Sequence, residues 1–216
     1  MAVVWFIRHT ESVSNANLRT VHPAETVLTP KGEAQARHLV GAFTAKPDLI
    51  VVSPFVRARQ TAAPTITHLQ PVAVETWPVY EFTYLAPARY RDTNADERLP
   101  WAQAYWQRNE PAHKDETEGE SFAELLARVH ALLARLRQRP ERWIVIFSHG
   151  LFLRALFWVV LSGVETATAE AMSRYSHFVR AVQMPNGAIC RAEVGGNGRV
   201  LLSGFDVAHL PEALRD

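Results

Sequence analysis

Several features that define other classes of protein are scarce in this sequence. Cys190 is the single cysteine among 216 residues, which excludes an internal disulfide and a zinc site built from cysteines. The formal net charge is +1, so no global basic field favours nucleic acid as a partner. The nine histidines are scattered, without the spacings typical of metal ligands. The sequence therefore predicts neither a metal nor a cofactor, and any anion site must be local.

Long hydrophobic runs are also absent. The N-terminal apolar run is too short for a signal peptide, and no basic region precedes it. The longest apolar stretch in the C-terminal half, residues 151–161, is interrupted by Arg154 and is too short to span a bilayer. No internal repeat or low-complexity linker divides the chain. We therefore expect one domain over residues 1–216, located in the cytoplasm and without a membrane partner.

The first fifteen residues contain the earliest sign of chemistry. Five apolar residues, 3–7, run without a break and stop at Arg8 and His9. A short continuous run of this kind predicts a buried strand, and ligand sites in open α/β sheets lie just outside the carboxyl ends of strands. Arg8 would bind a phosphate there, and His9 would attack it. Taken alone, however, the dipeptide favours an ordinary strand boundary.

The same arrangement occurs twice more along the chain. A second buried strand is predicted over residues 49–52, and Arg57 follows at the start of a helix, where free N–H groups favour anions. Arg59 points to a different helix face, so we assign it to solvent. Another buried strand is predicted over residues 143–147, with His149 at the turn into the next helix.

A weaker strand is predicted over residues 72–77, and Glu81 lies just beyond its end. The following segment, residues 82–118, is irregular and rich in aromatic side chains, with a short helix predicted over residues 99–108. Long insertions in compact domains are usually functional or mobile. We interpret this one as a lid over the site; a surface excursion with aromatic packing is the alternative.

Capping residues and apolar periodicity predict the remaining elements. Thr29 and Pro30 are typical of a helix start. Helices are expected over residues 30–44, 122–138, 151–161 and 165–175, and a terminal hairpin over residues 187–194 and 200–205 with its turn at 195–198. This order predicts the α/β class, specifically a three-layer α/β/α sandwich with a mostly parallel central sheet.

Parallel strands place their carboxyl ends at one edge of a sheet, so these motifs are expected to share one cleft. The resulting cluster resembles the histidine phosphatase superfamily, in its phosphoglycerate-mutase-like branch 1. The opening family motif Arg-His-Gly-Glu-Ser/Thr stands here as residues 8–12, with Thr10 in place of the glycine and Asn15 further on. The motif Ser-x-x-x-Arg-Ala-x-Gln-Thr-Ala is matched over residues 53–62, and Ser-His-Gly over residues 148–150.

The resemblance implies a role for each matching position. His9 would be the nucleophile that accepts the phosphoryl group. Glu81 would be the general acid and then the base, although the family pattern around it is loose and Glu11, Asp92 and Glu116 are alternatives. The phosphate oxygens would be held by Arg8, Arg57, His149 and Asn15.

The activity that follows is a metal-independent phosphatase, which hydrolyses a small phosphomonoester through a phosphohistidine intermediate. A phosphoglycerate mutase uses the same residues but retains the phosphate, and it is the first alternative. The second alternative is a non-catalytic protein that binds a phosphorylated ligand. Retention of the histidine nucleophile beside its charged neighbours argues against that second alternative, because a binder would not need it.

Overall fold

A computed structural model describes residues 2–195 and 199–215 of the chain. Most of the turn predicted at 195–198 lies outside these residues. The strands of the described part form one sheet: β1 (Ala2–Arg8), β2 (Leu49–Val52), β3 (Ala73–Thr76), β4 (Trp143–Ser148), β5 (Ile189–Val194) and β6 (Val200–Leu202). The helices are α1 (Pro30–Leu39), α2 (Val56–His68), α3 (Ala95–Arg108), α4 (Phe122–Arg137), α5 (Gly150–Ser162) and α6 (Ala169–Ala181).

The sheet has the strand order β3-β2-β4-β1-β5-β6. Strands β3, β2, β4 and β1 are parallel, whereas β5 pairs antiparallel with β1 and β6 antiparallel with β5. The predicted α/β fold with a mostly parallel sheet is therefore confirmed. Because β1 and β4 are neighbours, the two strands that end in histidine motifs lie side by side at the centre of the sheet.

Two apolar clusters cover the two faces of the sheet and give the three layers. On one face Val4 and Phe6 pack with the buried stripe of α4 and with α5 and α6. On the other face Ile7 and Ile50 pack with Leu39 and with residues of α2. The buried residues of α4 recur at helical spacing, as predicted. Full burial of one valine, leucine or phenylalanine side chain stabilises the fold by roughly 1.5–3 kcal/mol.

Local capping fixes where several helices begin. The Thr29 side chain accepts a hydrogen bond from the Gly32 N–H, and Pro30 occupies the first turn, as predicted. Ser121 and Glu124 form a reciprocal capping box at the start of α4. The helix that starts at Ala95 is longer than the predicted helix over 99–108, because Asn94 and Glu97 form a second capping box before the apolar pattern begins.

Three other elements have boundaries that differ from the prediction by three or more residues. The first helix ends at Leu39 and tightens into a 3₁₀ turn, Val40–Ala42, rather than continuing to residue 44; Gly41 within this turn disfavours the α conformation. The sixth helix runs over Ala169–Ala181 rather than 165–175, because Thr168 supplies the N-cap. The last strand ends at Leu202 rather than 205. Among the described residues, we find no helix with the length and apolar character that a membrane crossing requires.

Candidate active site

The register between β1 and β4 brings two histidines together. Arg8 pairs with Ser148 at the ends of the strands, so His9 and His149 each follow by one residue. The main-chain N–H of His9 donates to the main-chain carbonyl of Ser148 at 2.9 Å. The centroids of the two imidazole rings lie 5.1 Å apart. The expectation that these two motifs meet at one sheet edge is met.

Hydrogen bonds define the tautomer of His9, which is only 3% exposed. Its Nδ1 lies 2.8 Å from the Thr10 carbonyl oxygen, and a carbonyl only accepts, so Nδ1 carries the proton. The Nε–H of Arg57 donates to His9 Nε2 at 3.1 Å. Burial, Arg57 and Arg8 hold the pKa of His9 well below its ordinary value of 6.5. At neutral pH, His9 Nε2 is therefore an unprotonated nitrogen directed at Arg57.

Arg57 is the second residue of α2, and its side chain is buried beside His9. Its Nη1 donates to the Pro23 carbonyl at 2.6 Å, which anchors one end of the guanidinium. Burial lowers the pKa of Arg57 from its ordinary value, and the nearby Glu81 carboxylate opposes that effect. Arg59, two residues further on, is exposed as predicted. The structure thus separates the two arginines as their helical spacing indicates.

His149 is fully buried at the N-cap position of α5. Its Nε2 lies 2.7 Å from the Ser53 hydroxyl, which is just past the end of β2. Its Nδ1 has no hydrogen-bond partner among the described residues. Burial and the charge of Arg57 hold the pKa of His149 well below 6.5. An unsatisfied buried nitrogen costs roughly 1–3 kcal/mol, and a bound ligand oxygen would satisfy it.

Glu81 also lies beside the two histidines, although it does not directly follow a strand. It lies five residues beyond β3, and its carboxylate sits on the N-terminus of α5. Oε1 accepts hydrogen bonds from the N–H groups of Leu151 at 3.0 Å and Phe152 at 3.1 Å, and from its neighbour Phe82 at 3.0 Å. One carboxylate oxygen of Glu81 and one ring nitrogen of each histidine lie within 4.8 Å of one another.

Arg8 and Asn15 differ in position: Asn15 lines the cleft, whereas Arg8 and the buried His149 do not. The Arg8 Nη1 donates to the Met184 carbonyl, and Arg8 does not line the cleft, although its charge acts on both histidines. A Cβ at Gly150 would lie 3.1 Å from Arg8 Nε, so the absence of a side chain there admits the guanidinium. Asn15 lines the cleft, is exposed, and accepts from the Ser12 N–H and hydroxyl through Oδ1, which leaves Nδ2 as its donor.

Thr10, which replaces the family glycine, is accommodated away from the cleft. The side chain is fully buried, and both its N–H and its hydroxyl lie 3.1 Å from the Thr61 hydroxyl on α2. The Thr61 hydroxyl itself donates to the Arg57 carbonyl at 2.8 Å. Thr10 Cγ2 also lies 3.4 Å from the position of a Cβ at Gly187. The Thr10 hydroxyl therefore links the histidine loop to the helix of Arg57 and is not presented to a ligand.

A cleft of about 290 Å³ opens in front of these residues. His9, Arg57 and Glu81 line its inner end, and part of the 82–118 segment lines its outer end, including Tyr84, Tyr90, Arg98 and Leu99. Two aromatic residues of this segment belong to the main core: Tyr105, and Phe82, which also lines the cleft. The segment thus contributes to the wall of the cleft; its action as a lid stays a prediction.

Arg98 is a charged lining residue that the sequence does not predict. It is 6% exposed, and its guanidinium lies over the Tyr90 ring at 4.6 Å from the centroid. Its Nη1 donates to the Thr20 hydroxyl at 3.1 Å and to the Thr93 carbonyl at 2.7 Å. No carboxylate lies within 4.0 Å of it in the described part of the chain. No sequence motif marks Arg98, because only the packing of α3 turns it towards the cleft.

The His9, Glu81 and His149 group has donor atoms of the kind that bind metal ions. Its surroundings disfavour one, since Arg57 and Arg8 place positive charge beside both histidines. His9 also has both ring nitrogens engaged, by Thr10 and by Arg57. The same positive charge and the unsatisfied His149 nitrogen suit an oxyanion.

Comparison with known proteins identifies the family. Residues 4–206 match the family model of the histidine phosphatase superfamily (branch 1). The chain belongs to this superfamily. A relative from Enterobacter sp. (strain 638), named "Probable phosphoglycerate mutase GpmB", is 29% identical over 176 residues, which are 74% of this chain and 75% of the relative.

Solved structures of chains named as phosphatases share the fold. The alpha-ribazole phosphatase from Shigella flexneri superposes with a TM-score of 0.72 at 22% identity, over 94% of this chain and 95% of that chain. A variant phosphoserine phosphatase from Entamoeba histolytica, in complex with phosphoserine, gives a TM-score of 0.71 at 20% identity, over 98% and 100% of the two chains. At these identities the likeness supports the architecture.

Proposed function

We propose that this histidine phosphatase superfamily member is a phosphatase that hydrolyses a small phosphomonoester through a phosphohistidine on His9. The observation that carries the proposal is the unprotonated Nε2 of His9, held beside Arg57 with Glu81 within reach. The relatives support it in a general way. Two structural neighbours are named as phosphatases, and one holds phosphoserine.

In the proposed first step, His9 Nε2 attacks phosphorus and the bond from phosphorus to the ester oxygen breaks. Protonated Glu81 gives its proton to that oxygen, which leaves as an alcohol. In the second step, Glu81 takes a proton from water as the water oxygen attacks phosphorus, and the bond to His9 breaks. Inorganic phosphate leaves, and both side chains return to their starting protonation states.

Positive charge and hydrogen-bond donors stabilise the transferring group in this mechanism. We assign the phosphate oxygens to Arg57 and His149, with Arg8 acting through its charge and Asn15 through its Nδ2 amide. Phosphoryl transfer depends mainly on positioning and charge stabilisation, which this arrangement offers from protein groups alone. We therefore propose that the reaction needs neither a metal ion nor a cofactor.

Hydrolysis of p-nitrophenyl phosphate in the presence of EDTA tests the proposal. We expect purified protein to release p-nitrophenol at a rate within about twofold of the rate without chelator, because the phosphate contacts come from side chains. Protein without chelator and protein supplemented with Mg²⁺ are the controls. Activity that EDTA removes and Mg²⁺ restores would contradict the metal-free mechanism, and inactivity in every condition would contradict the phosphatase.

A phosphoglycerate mutase is the second candidate, because the Enterobacter relative carries that name. A mutase must retain the phosphoryl group and exclude water, whereas a phosphatase must admit water. Incubation with 3-phosphoglycerate separates the two, with free phosphate and 2-phosphoglycerate measured in the same samples. We expect free phosphate to dominate, and isomerisation without phosphate release would favour the mutase.

Arg98 supports a narrower substrate class. It is a nearly buried cation that lines the cleft, yet its hydrogen-bond partners are neutral oxygens. A buried charge without a counterion is costly, and an anionic ligand group would offset that cost. Arg98, whose guanidinium lies over the Tyr90 ring, lines the same cleft as His9 and Arg57. We propose that the substrate carries a carboxylate that reaches Arg98 while its phosphate lies at His9.

Two substrates that differ in one group test this assignment. The carboxylate of 3-phosphoglycerate is replaced by a hydroxymethyl group in glycerol 3-phosphate, with the phosphate ester unchanged. We expect kcat/KM for phosphate release to favour 3-phosphoglycerate by about tenfold or more, the value of a charge-assisted hydrogen bond, and Arg98→Gln to bring the ratio towards one. Arg59→Gln removes the same charge from an exposed helix face and should keep the ratio. No preference in the unmodified protein would refute the subsite.

A further inference from the structure

The segment that carries Glu81 has no regular secondary structure of its own. It follows β3 and precedes the 3₁₀ turn Pro87–Tyr90, so neither helix nor sheet hydrogen bonds fix its main chain. A general acid must nevertheless be held within a fraction of an ångström of its proton acceptor. The groups that hold this segment therefore decide where the Glu81 carboxyl lies.

An ion pair between Arg128 on α4 and Glu120, just before α4, holds the segment from outside the cleft. Arg128 Nε donates to Glu120 Oε1 at 2.6 Å and Nη2 donates to Oε2 at 2.8 Å, a two-pronged contact. The two side chains are only 13% and 8% exposed. Neither residue of this pair lines the cleft.

The remaining hydrogen bonds of the pair go to the main chain on both sides of Glu81. Arg128 Nη1 donates to the carbonyls of Pro78 at 3.0 Å and Tyr80 at 3.1 Å. On the other side, the Glu120 N–H donates to the Thr83 carbonyl at 2.8 Å, and Glu120 Oε2 lies 3.4 Å from the Thr83 nitrogen. The chain is thus held one residue before Glu81 and two residues after it.

Aromatic contacts connect the same pair to the helix N-terminus that binds Glu81. The Arg128 guanidinium lies over the Tyr80 ring at 3.8 Å and over the Phe152 ring at 4.7 Å. Phe152 is one of the residues whose N–H donates to Glu81 Oε1. Arg128 therefore contacts both the segment that carries Glu81 and the residue that binds its carboxylate.

Stability alone does not account for this pair. Burying two charges costs several kcal/mol for each ion, and well-packed apolar residues often stabilise a fold as well or better. A buried pair is more valuable where its fixed geometry positions something else. We propose that the Glu120–Arg128 pair is a positioning pair for the Glu81 carboxyl in acid catalysis, an inference that rests on the proposed role of Glu81.

A comparison of good and poor leaving groups tests the positioning role. Phenolate is a much more basic leaving group than p-nitrophenolate, so phenyl phosphate depends more strongly on a proton from Glu81. We expect Arg128→Gln and Glu120→Gln to lower kcat/KM for phenyl phosphate at least about tenfold more than for p-nitrophenyl phosphate. Lysine keeps the charge but cannot make the bidentate contact with Glu120. Arg128→Lys should therefore show a smaller excess loss of kcat/KM for phenyl phosphate than Arg128→Gln.

The control is a half-exposed ion pair that does not touch the Glu81 segment. Arg191 Nη1 donates to Asp206 Oδ2 at 3.1 Å, and Arg191→Gln should change both substrates by the same factor. Equal losses in the Glu120 and Arg128 variants would refute the positioning pair while leaving the phosphatase intact. An unmodified protein that hydrolyses neither aryl phosphate would refute the proposed function itself. If Arg128→Gln does not fold by circular dichroism, the nearly isosteric Glu120→Gln decides the question.

Discussion

Replacement of His9 by alanine is expected to abolish phosphoryl transfer, with kcat lowered about 10⁴-fold or more, as when other covalent nucleophiles are removed. The reason lies in the contacts of this side chain. Thr10 fixes the proton on Nδ1, and Arg57 is directed at the lone pair of Nε2. His149 does not duplicate that nitrogen, because its Nε2 contacts the Ser53 hydroxyl and its buried ring does not line the cleft.

A trapping experiment measures the chemistry as well as the rate. Brief incubation with ³²P-labelled phosphomonoester, followed by an alkaline quench, should leave acid-labile phosphate on the unmodified protein and none on His9→Ala. His38→Ala is the matched control, because His38 is exposed on α1 and far in sequence from every motif. Label that persists in His9→Ala would assign the nucleophile to another residue. Active protein that never carries label would indicate direct attack by water.

The sequence was sufficient to predict the centre of the site because short, buried strands have a strong local signal. The apolar runs that end at Arg8 and at Ser148 coincide with β1 and β4. Once the two strands are parallel neighbours, register alone places His9 beside His149. The burial of Arg57 and the exposure of Arg59 likewise followed from helical spacing.

Residues that act through tertiary contacts were not predictable in the same way. Arg98 lies on an amphipathic helix, where an arginine is usually solvated, and only the packing of α3 against residues 14–20 buries it. Arg128 likewise lies on an amphipathic helix, α4, where an arginine is usually solvated. Its partner Glu120 lies eight residues away, before the helix begins, so no helical i, i+4 spacing connects the pair.

The position of Glu81 was predicted for an incomplete reason. The sequence predicts Glu81 just beyond a strand end, yet β3 stops at Thr76 and is an exposed edge strand. What brings Glu81 to the histidines is the N-terminus of α5, whose N–H groups at Leu151 and Phe152 bind its carboxylate. Helix α5 therefore positions both His149, at its N-cap, and Glu81, whose carboxylate its first N–H groups bind. Local sequence patterns do not reveal this shared role.

Glu81→Gln is expected to split the two steps of the reaction. Glutamine keeps an oxygen acceptor for the α5 N–H groups but has no proton to give in the first step and no base for the second. Turnover of phenyl phosphate should fall about 10²- to 10⁴-fold, the usual contribution of a general acid–base group. With p-nitrophenyl phosphate, whose leaving group needs no proton, the first step should continue while hydrolysis of the phosphohistidine slows.

Rapid-quench kinetics should therefore show a burst of p-nitrophenol close to one equivalent per active site, followed by slow turnover, with phosphate accumulating on His9. Glu11→Gln is the control: its carboxylate accepts from the Thr29 hydroxyl at 2.6 Å and lies 3.5 Å from Lys31 Nζ, outside the His9, Glu81 and His149 group. Turnover of Glu81→Gln near that of the unmodified protein would transfer the role to Glu11, Asp92 or Glu116. A burst confined to the Glu81 variant would assign the base of the second step to this carboxyl, and a loss of kcat/KM that is larger for phenyl phosphate than for p-nitrophenyl phosphate would assign it the acid role in the first step.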